Sequence, residues 1–163
     1  EEAPAPAPAP RVEVLSWAGS ITGAGASAST PAGALCCAQV APAGENADVA
    51  FAVVEGLKGI VVELVWTHEQ FDLDLIVAAA DYDPMTPAPP QPYTGHRWVA
   101  AGGAPGQPEG RATVLVTEAE ALAILGDWTL HVNAKGPAHE VPFTLFVSLF
   151  YDQAPAADYT AAA

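Results

Sequence analysis

Basic residues are scarce in this chain. Five Lys or Arg stand against nineteen Asp or Glu in 163 residues, a formal net charge of −14. Phosphate backbones and anionic lipid faces are bound by basic surfaces, so the charge argues against nucleic acid and acidic membranes as partners. Divalent cations and cationic surfaces are the natural counterparts of such a field. Long apolar runs are also missing. No window reaches the about 18 consecutive apolar residues that a membrane span requires. Cysteine is limited to one adjacent pair, Cys36 and Cys37. Neighbouring Cα atoms lie about 3.8 Å apart, short of the roughly 4.4–6.8 Å usual across a disulfide. Two free thiols, a strained vicinal disulfide and bonds to another chain are the states open to the pair. Its spacing is not that of a C-x-x-C redox or zinc motif.

Catalytic signatures are absent in the same way. His68, His96, His131 and His139 share no metal-ligand spacing such as H-x-x-x-H. No G-x-S-x-G elbow occurs, and Gly23-Ala24-Gly25 lacks the third glycine and the strand-to-helix setting of a phosphate loop. The sequence therefore predicts a protein that is not an enzyme. There is no internal repeat, no heptad pattern and no alternating β/α order, which argues against a parallel α/β fold.

What the chain has is apolar residues, glycine and proline. Hydrophobic residues make up 51% of it, with 14 Gly and 16 Pro but only 15% charged residues, a profile of many short strands joined by turns. Residues 1–10 read EEAPAPAPAP, and alternating Ala-Pro favours an extended polyproline arm. Residues 11–151 form the expected single domain, and the Ala-rich 152–163 is a mobile or contact-making tail. The first residue is Glu1, with no leader before it, which is read as a processed start and hence a secreted protein.

Strict alternation marks the strands. In Arg11–Trp17 it puts Val12 and Val14 on one face, with Leu15 and Trp17 on the other. Ala47–Val54 alternates around Val49, Phe51 and Val53. Ile60–Thr67 points Ile60, Val62, Leu64 and Trp66 inward, and Leu73–Ala80 follows. Trp98–Ala101, Ala112–Thr117, Asp127–Ala134 and Val141–Tyr151 complete the set. Gly19–Gly33 reads as a loop or a weakly specified edge strand. Thr117 and Glu120 have the spacing of a capping box, which predicts a helical turn through Ile124 ending at Gly126. Seven to nine strands with one such turn predict an all-β, jelly-roll-type antiparallel β-sandwich.

Several segments carry a resemblance. They are Asp48–Val54 (DVAFAVV), Gly59–Trp66 followed by Asp72-Leu73-Asp74-Leu75, Gly126–Val132 (GDWTLHV) and Phe143–Val147 (FTLFV). In this order they resemble the bacterial and archaeal pre-peptidase C-terminal domain family over about Asp48–Tyr151. The resemblance implies a secreted β-sandwich serving as an accessory or binding module without catalysis. Where the family pattern has an Asp-Pro-Asp-Gly type turn, this chain has Asp81-Tyr82-Asp83-Pro84 and a Pro-rich insertion.

Three sets of residues are candidates for function. Asp72, Asp74, Asp81 and Asp83 cluster at the two ends of one strand, with Glu69 and Asp127 as additional oxygens. Calcium takes six to eight oxygen ligands, so Ca2+ is the candidate ion. A strand of about eight residues spans roughly 25 Å, which makes two half-sites. Solvated strand-end aspartates that discourage edge pairing are the alternative. The second set joins Val12, Val14, Leu15 and Trp17, on a strand that could add to a neighbouring sheet, with Phe146 and Phe150, which make their face of the last strand too apolar for open water. It predicts an inter-subunit strand or contact and hence self-association into a homo-oligomer or filament. The third is Trp98, beside Tyr93, His96 and Arg97, as an exposed contact for a sugar. Trp66 and Trp128 fall in the inward phase and are assigned to the core. The preferred reading is a secreted, non-enzymatic structural subunit of an extracellular filament or surface assembly. The alternative is a secreted accessory module binding carbohydrate or a protease partner.

Overall fold

The described residues form ten strands and one helical turn, most of the strands on apolar alternation. The computed structural model describes residues 11–22, 25–29, 41–43, 46–67, 73–82, 95–102, 110–134 and 141–161. The strands are β1 (Val12–Thr22), β2 (Gly25–Ser29), β3 (Ala41–Ala43), β4 (Asn46–Val53), β5 (Gly59–Trp66), β6 (Leu73–Ala78), β7 (Arg97–Ala101), β8 (Arg111–Val116), β9 (Gly126–Ala134) and β10 (Val141–Phe150). Helix α1 covers Ala119–Leu122 between β8 and β9.

Two five-stranded sheets result, ordered β2-β1-β10-β5-β8 and β3-β4-β9-β6-β7, with every strand pair antiparallel. Without the β2–β3 extension, β1-β10-β5-β8 faces β4-β9-β6-β7. That order is the jelly roll, in which the chain repeatedly crosses from sheet to sheet. The expected all-β sandwich is therefore the architecture. The core lies between the layers. Trp17, Ile60, Leu64, Leu73, Leu75, Trp128, Leu130 and Leu145 are all less than 2% exposed. Each such aliphatic side chain contributes about 1.5–3 kcal/mol of transfer free energy.

Two local readings need correction. The Gly/Ser-rich stretch after Trp17 is neither all loop nor a lone edge. It extends β1 to Thr22 and returns as β2, with Thr22 opposite Gly25 across a two-residue connection. The capping box does not form. Glu118, extended at φ −68° and ψ 124°, is the N-cap and makes no side-chain capping bond, so the turn starts one residue late and ends at Leu122. The Trp128 indole N–H donates to the Ile124 carbonyl at 2.9 Å and so satisfies an oxygen just past the turn.

The inward phase of Ile60, Val62, Leu64 and Trp66 holds, and β5 is buried on its other face as well. Ile60, Val62 and Leu64 face the core, but Val61 and Glu63 on the outer face are also buried, at 2% and 0% exposure. They lie on the face over which Asp152–Ala161 folds back, so this segment is docked on its own domain.

Candidate functional site

Strand β1 is protected along half its length. On one side β10 pairs with it from Val12 (opposite Phe150) to Ile21 (opposite Val141). On the other side β2 pairs only with Ala18–Thr22. Among the described residues, the edge from Val12 to Trp17 has no strand beside it. The direction of its backbone groups follows from one bond. The Tyr151 N–H donates to the Arg11 carbonyl at 3.2 Å, so Arg11 points at the β10 side. Antiparallel strands alternate the sides to which successive residues direct their N–H and C=O. Glu13, Leu15 and Trp17 therefore face β10, while Val12, Val14 and Ser16 present theirs to the open edge.

The edge is held rigidly at its start. The Arg11 N–H donates to Asp152 Oδ2 at 2.6 Å, and the Arg11 guanidinium lies 4.1 Å from the centre of the Tyr151 ring. The Tyr151 hydroxyl donates to Glu13 Oε2 at 3.2 Å. Burial, and then the charge and hydrogen bond of Glu13, push the Tyr151 phenol above its ordinary value against the opposing charge of Arg11.

The six residues predicted to meet a neighbour separate into distinct roles. Val12 and Val14 are 37% and 40% exposed on the outer face. Leu15 is half-buried against the core, and Phe146 is half-buried on the outer face opposite Ser16. Trp17 is fully buried and belongs to the core, because its position in β1 turns it between the sheets. Phe150 is also buried, its ring meeting Tyr159 edge-on at 4.8 Å, so the chain's own tail covers it. The strand expected to add to a neighbour is itself part of a sheet, paired with β10 along its length and, among the described residues, with β2 over Ala18–Thr22.

A groove of about 320 Å³ opens beside this edge, between β1 and β4. Leu15, Leu149, Phe51 and the 49% exposed Val54 line it. Among the described residues, strand β3 pairs with β4 over Asn46–Asp48 and none pairs with Val49–Val53 on the same side. Strands β8 and β7 end the two sheets on the opposite side and carry Leu115 and Val99 at 38% and 56% exposure.

The aspartate set is divided. Asp72 and Asp83 lie outside the described residues, as do Glu69, His68, His139, Tyr93, Cys36 and Cys37. Asp74 is half-buried on the outer face of β6, between Asn133 and Ala101 on the neighbouring strands. Asp81 lies past the far end of the strand, and Asp127 is exposed at the start of β9. Among the described residues, no three His, Cys, Asp or Glu gather closely enough to hold a metal ion.

Asp81 has a different task. It accepts the His96 N–H at 3.0 Å and contacts His96 Nδ1 at 2.7 Å. Gly95, at φ +86°, permits this approach, since a Cβ there would lie 2.1 Å from the Asp81 carbonyl oxygen. Burial raises the Asp81 carboxyl, but the backbone bond, the ring bond and the charge of His96 together leave it below its ordinary value of 3.8. A lowered carboxyl stabilises the fold above its unfolded pKa and loses that contribution as pH falls through the folded value. Asp81→Asn is therefore expected to flatten the stability profile below about pH 4, measured by denaturant titration. An unchanged acid limb would show that the pair contributes nothing to it.

Trp98 was expected to be an exposed contact, but it is only partly exposed. Its ring stacks on Trp128 at 5.3 Å and 13°, with His96 stacked on it at 6.2 Å. Sequence reasoning missed the receptor for the C-terminal segment on β5 and β10. The available signal was Glu63, a lone charge inside the apolar run Ile60–Trp66.

No protein-family model matches the chain, and no curated protein sequence is similar to it. Among solved structures, one titled for Desmodium yellow mottle tymovirus aligns at 12% identity over 96% of this chain and 97% of its own, with a TM-score of 0.34. One titled for the empty head of turnip yellow mosaic virus aligns at 11% identity over 99% and 90%, with a TM-score of 0.28. Likeness at this level carries no argument about function. Among the described residues, no helix is long and apolar enough to cross a membrane.

Proposed function

We propose that this chain is a secreted, non-enzymatic structural subunit that self-associates into a filament or surface assembly. The observation that carries the reading is the edge of β1 over Val12–Trp17, beside which the described residues place no strand. Over Val12–Trp17 it has no proline, lysine or bulge, and outward backbone groups sit beside exposed valines. Such an edge is a template for strand addition. Strand β8, at the other end of the same sheet, offers six residues to match the six of Val12–Trp17. Pairing β1 of one copy with β8 of the next is a heterologous contact, and repeating it builds an open filament.

Charge opposes this association. At −14 per subunit, copies repel one another, and salt screens that repulsion. Raising salt from about 0.1 M to about 1 M shortens the Debye length from about 10 Å to about 3 Å. The expected result is a rise in weight-average mass by sedimentation, with filaments or sheets in electron microscopy. Calcium joining the acidic rims belongs to the same proposal. It predicts a further rise with calcium over magnesium at matched ionic strength, reversed by chelator. Monomers in every condition, together with capture of carbohydrate, would replace this reading by the accessory module that the sequence resemblance implies.

A further inference from the structure

The C-terminal segment sits in a groove made for it on the outer face of the first sheet. Pro155 packs over Gly59, where an added Cβ would lie 2.3 Å from the proline Cδ. The Tyr159 ring meets Phe150, and its hydroxyl donates to Ser148 Oγ at 3.1 Å. The Thr160 hydroxyl and the Ala161 N–H both donate to the Glu63 carboxylate, the second at 2.8 Å. Arg111 from β8 donates to Thr160 Oγ1 at 3.2 Å. Glu63 and Ser148, the fully buried polar side chains among the described residues, both lie in this groove. Covering a carboxylate is costly unless it is hydrogen-bonded, and here the segment supplies bonds to both oxygens.

Two features make the segment transferable. Among the described residues it adds no strand to the sheet, so lifting it breaks no ladder. The stretch joining it to β10 is short and exposed from Asp152 to Ala154. We infer that residues 155–161 are an exchangeable strap, which leaves its own groove to fill the same groove on a second copy of the chain. The inference rests on the self-association proposed above. A short tether holds the strap over its own groove at an effective concentration on the order of a millimolar. Dilute chains therefore close in cis, and chains already joined at their edges meet each other's grooves at comparable concentration. Exchange reproduces every contact of the closed form and adds a second link between subunits.

Isotope-filtered NMR tests this directly. Full-length 13C-labelled and unlabelled chains are mixed as monomers and concentrated, and the smallest stable oligomer is isolated. Exchange places Tyr159 of one isotope against Phe150 of the other, so intermolecular NOEs between those rings are expected. Gly59→Ala, whose new methyl meets Pro155, should remove them and speed dissociation on dilution by about 100-fold. An oligomer showing only intramolecular Tyr159–Phe150 NOEs overturns exchange and leaves edge association standing. Failure to form any oligomer overturns both.

Discussion

Replacing Val14 with proline is expected to abolish association while leaving the monomer folded. Proline removes one N–H and holds φ near −65°, so it is tolerated on a sheet edge but not within a ladder. The Val14 backbone points away from β10, and the side chain is 40% exposed. The substitution thus blocks an incoming strand and should shift stability by no more than about 1 kcal/mol. The paired control is Leu15→Pro, one residue on, where the N–H faces β10. It should destabilise the fold by about 3 kcal/mol or more. Sedimentation reports association, and thermal unfolding reports stability. Undiminished assembly by a folded Val14→Pro chain would move the contact away from β1 to another strand edge.

Trp128→Ala should produce the largest loss of stability, about 3–5 kcal/mol. Trp128 is fully buried on β9 and stacks on Trp98 at 5.3 Å, with Phe51 tilted against it at 6.1 Å. Its indole also bonds the Ile124 carbonyl, tying the helical turn to the second sheet. Domains of this size are stable by about 5–15 kcal/mol, so the loss takes a large part of the total. Trp128→Phe keeps much of the packing but leaves that oxygen without its indole partner, and an intermediate loss is expected. Equal losses for the two variants in urea titration would assign the whole effect to the indole N–H. A loss below about 1 kcal/mol for Trp128→Ala would mean that the core collapses around the gap.

The two variants illustrate different degrees of legibility in the sequence. Trp128 was assignable to the core because Leu130 and Val132 share its phase in an uninterrupted alternation. The same rule put Leu15 and Trp17 on one face and Val12 and Val14 on the other, without saying which face turns inward. It could not show that Trp17 lies too deep to meet a neighbour, since depth depends on what covers a strand. Nor could it show that β10 and β2 take opposite sides of β1, with β2 opposite Ala18–Thr22 among the described residues.

The aspartates mark a second boundary. Their spacing along one strand suggested ligands, yet spacing does not say which neighbours face them. Asp81 faces His96, fifteen residues on, because Gly95 lets the chain turn back against it. A partner so far along the chain is visible only after folding.

By itself, the sequence determined the class of fold, the faces of its strands and the acidity of its surface. Period-two apolar patterning and charge are local properties that need no knowledge of the rest of the chain. The tertiary structure decided the strand order, the placing of β1 between β10 and β2, and the seat of the C-terminal strap on Glu63. Each of these depends on contacts between residues distant in sequence, brought together when apolar surface leaves water.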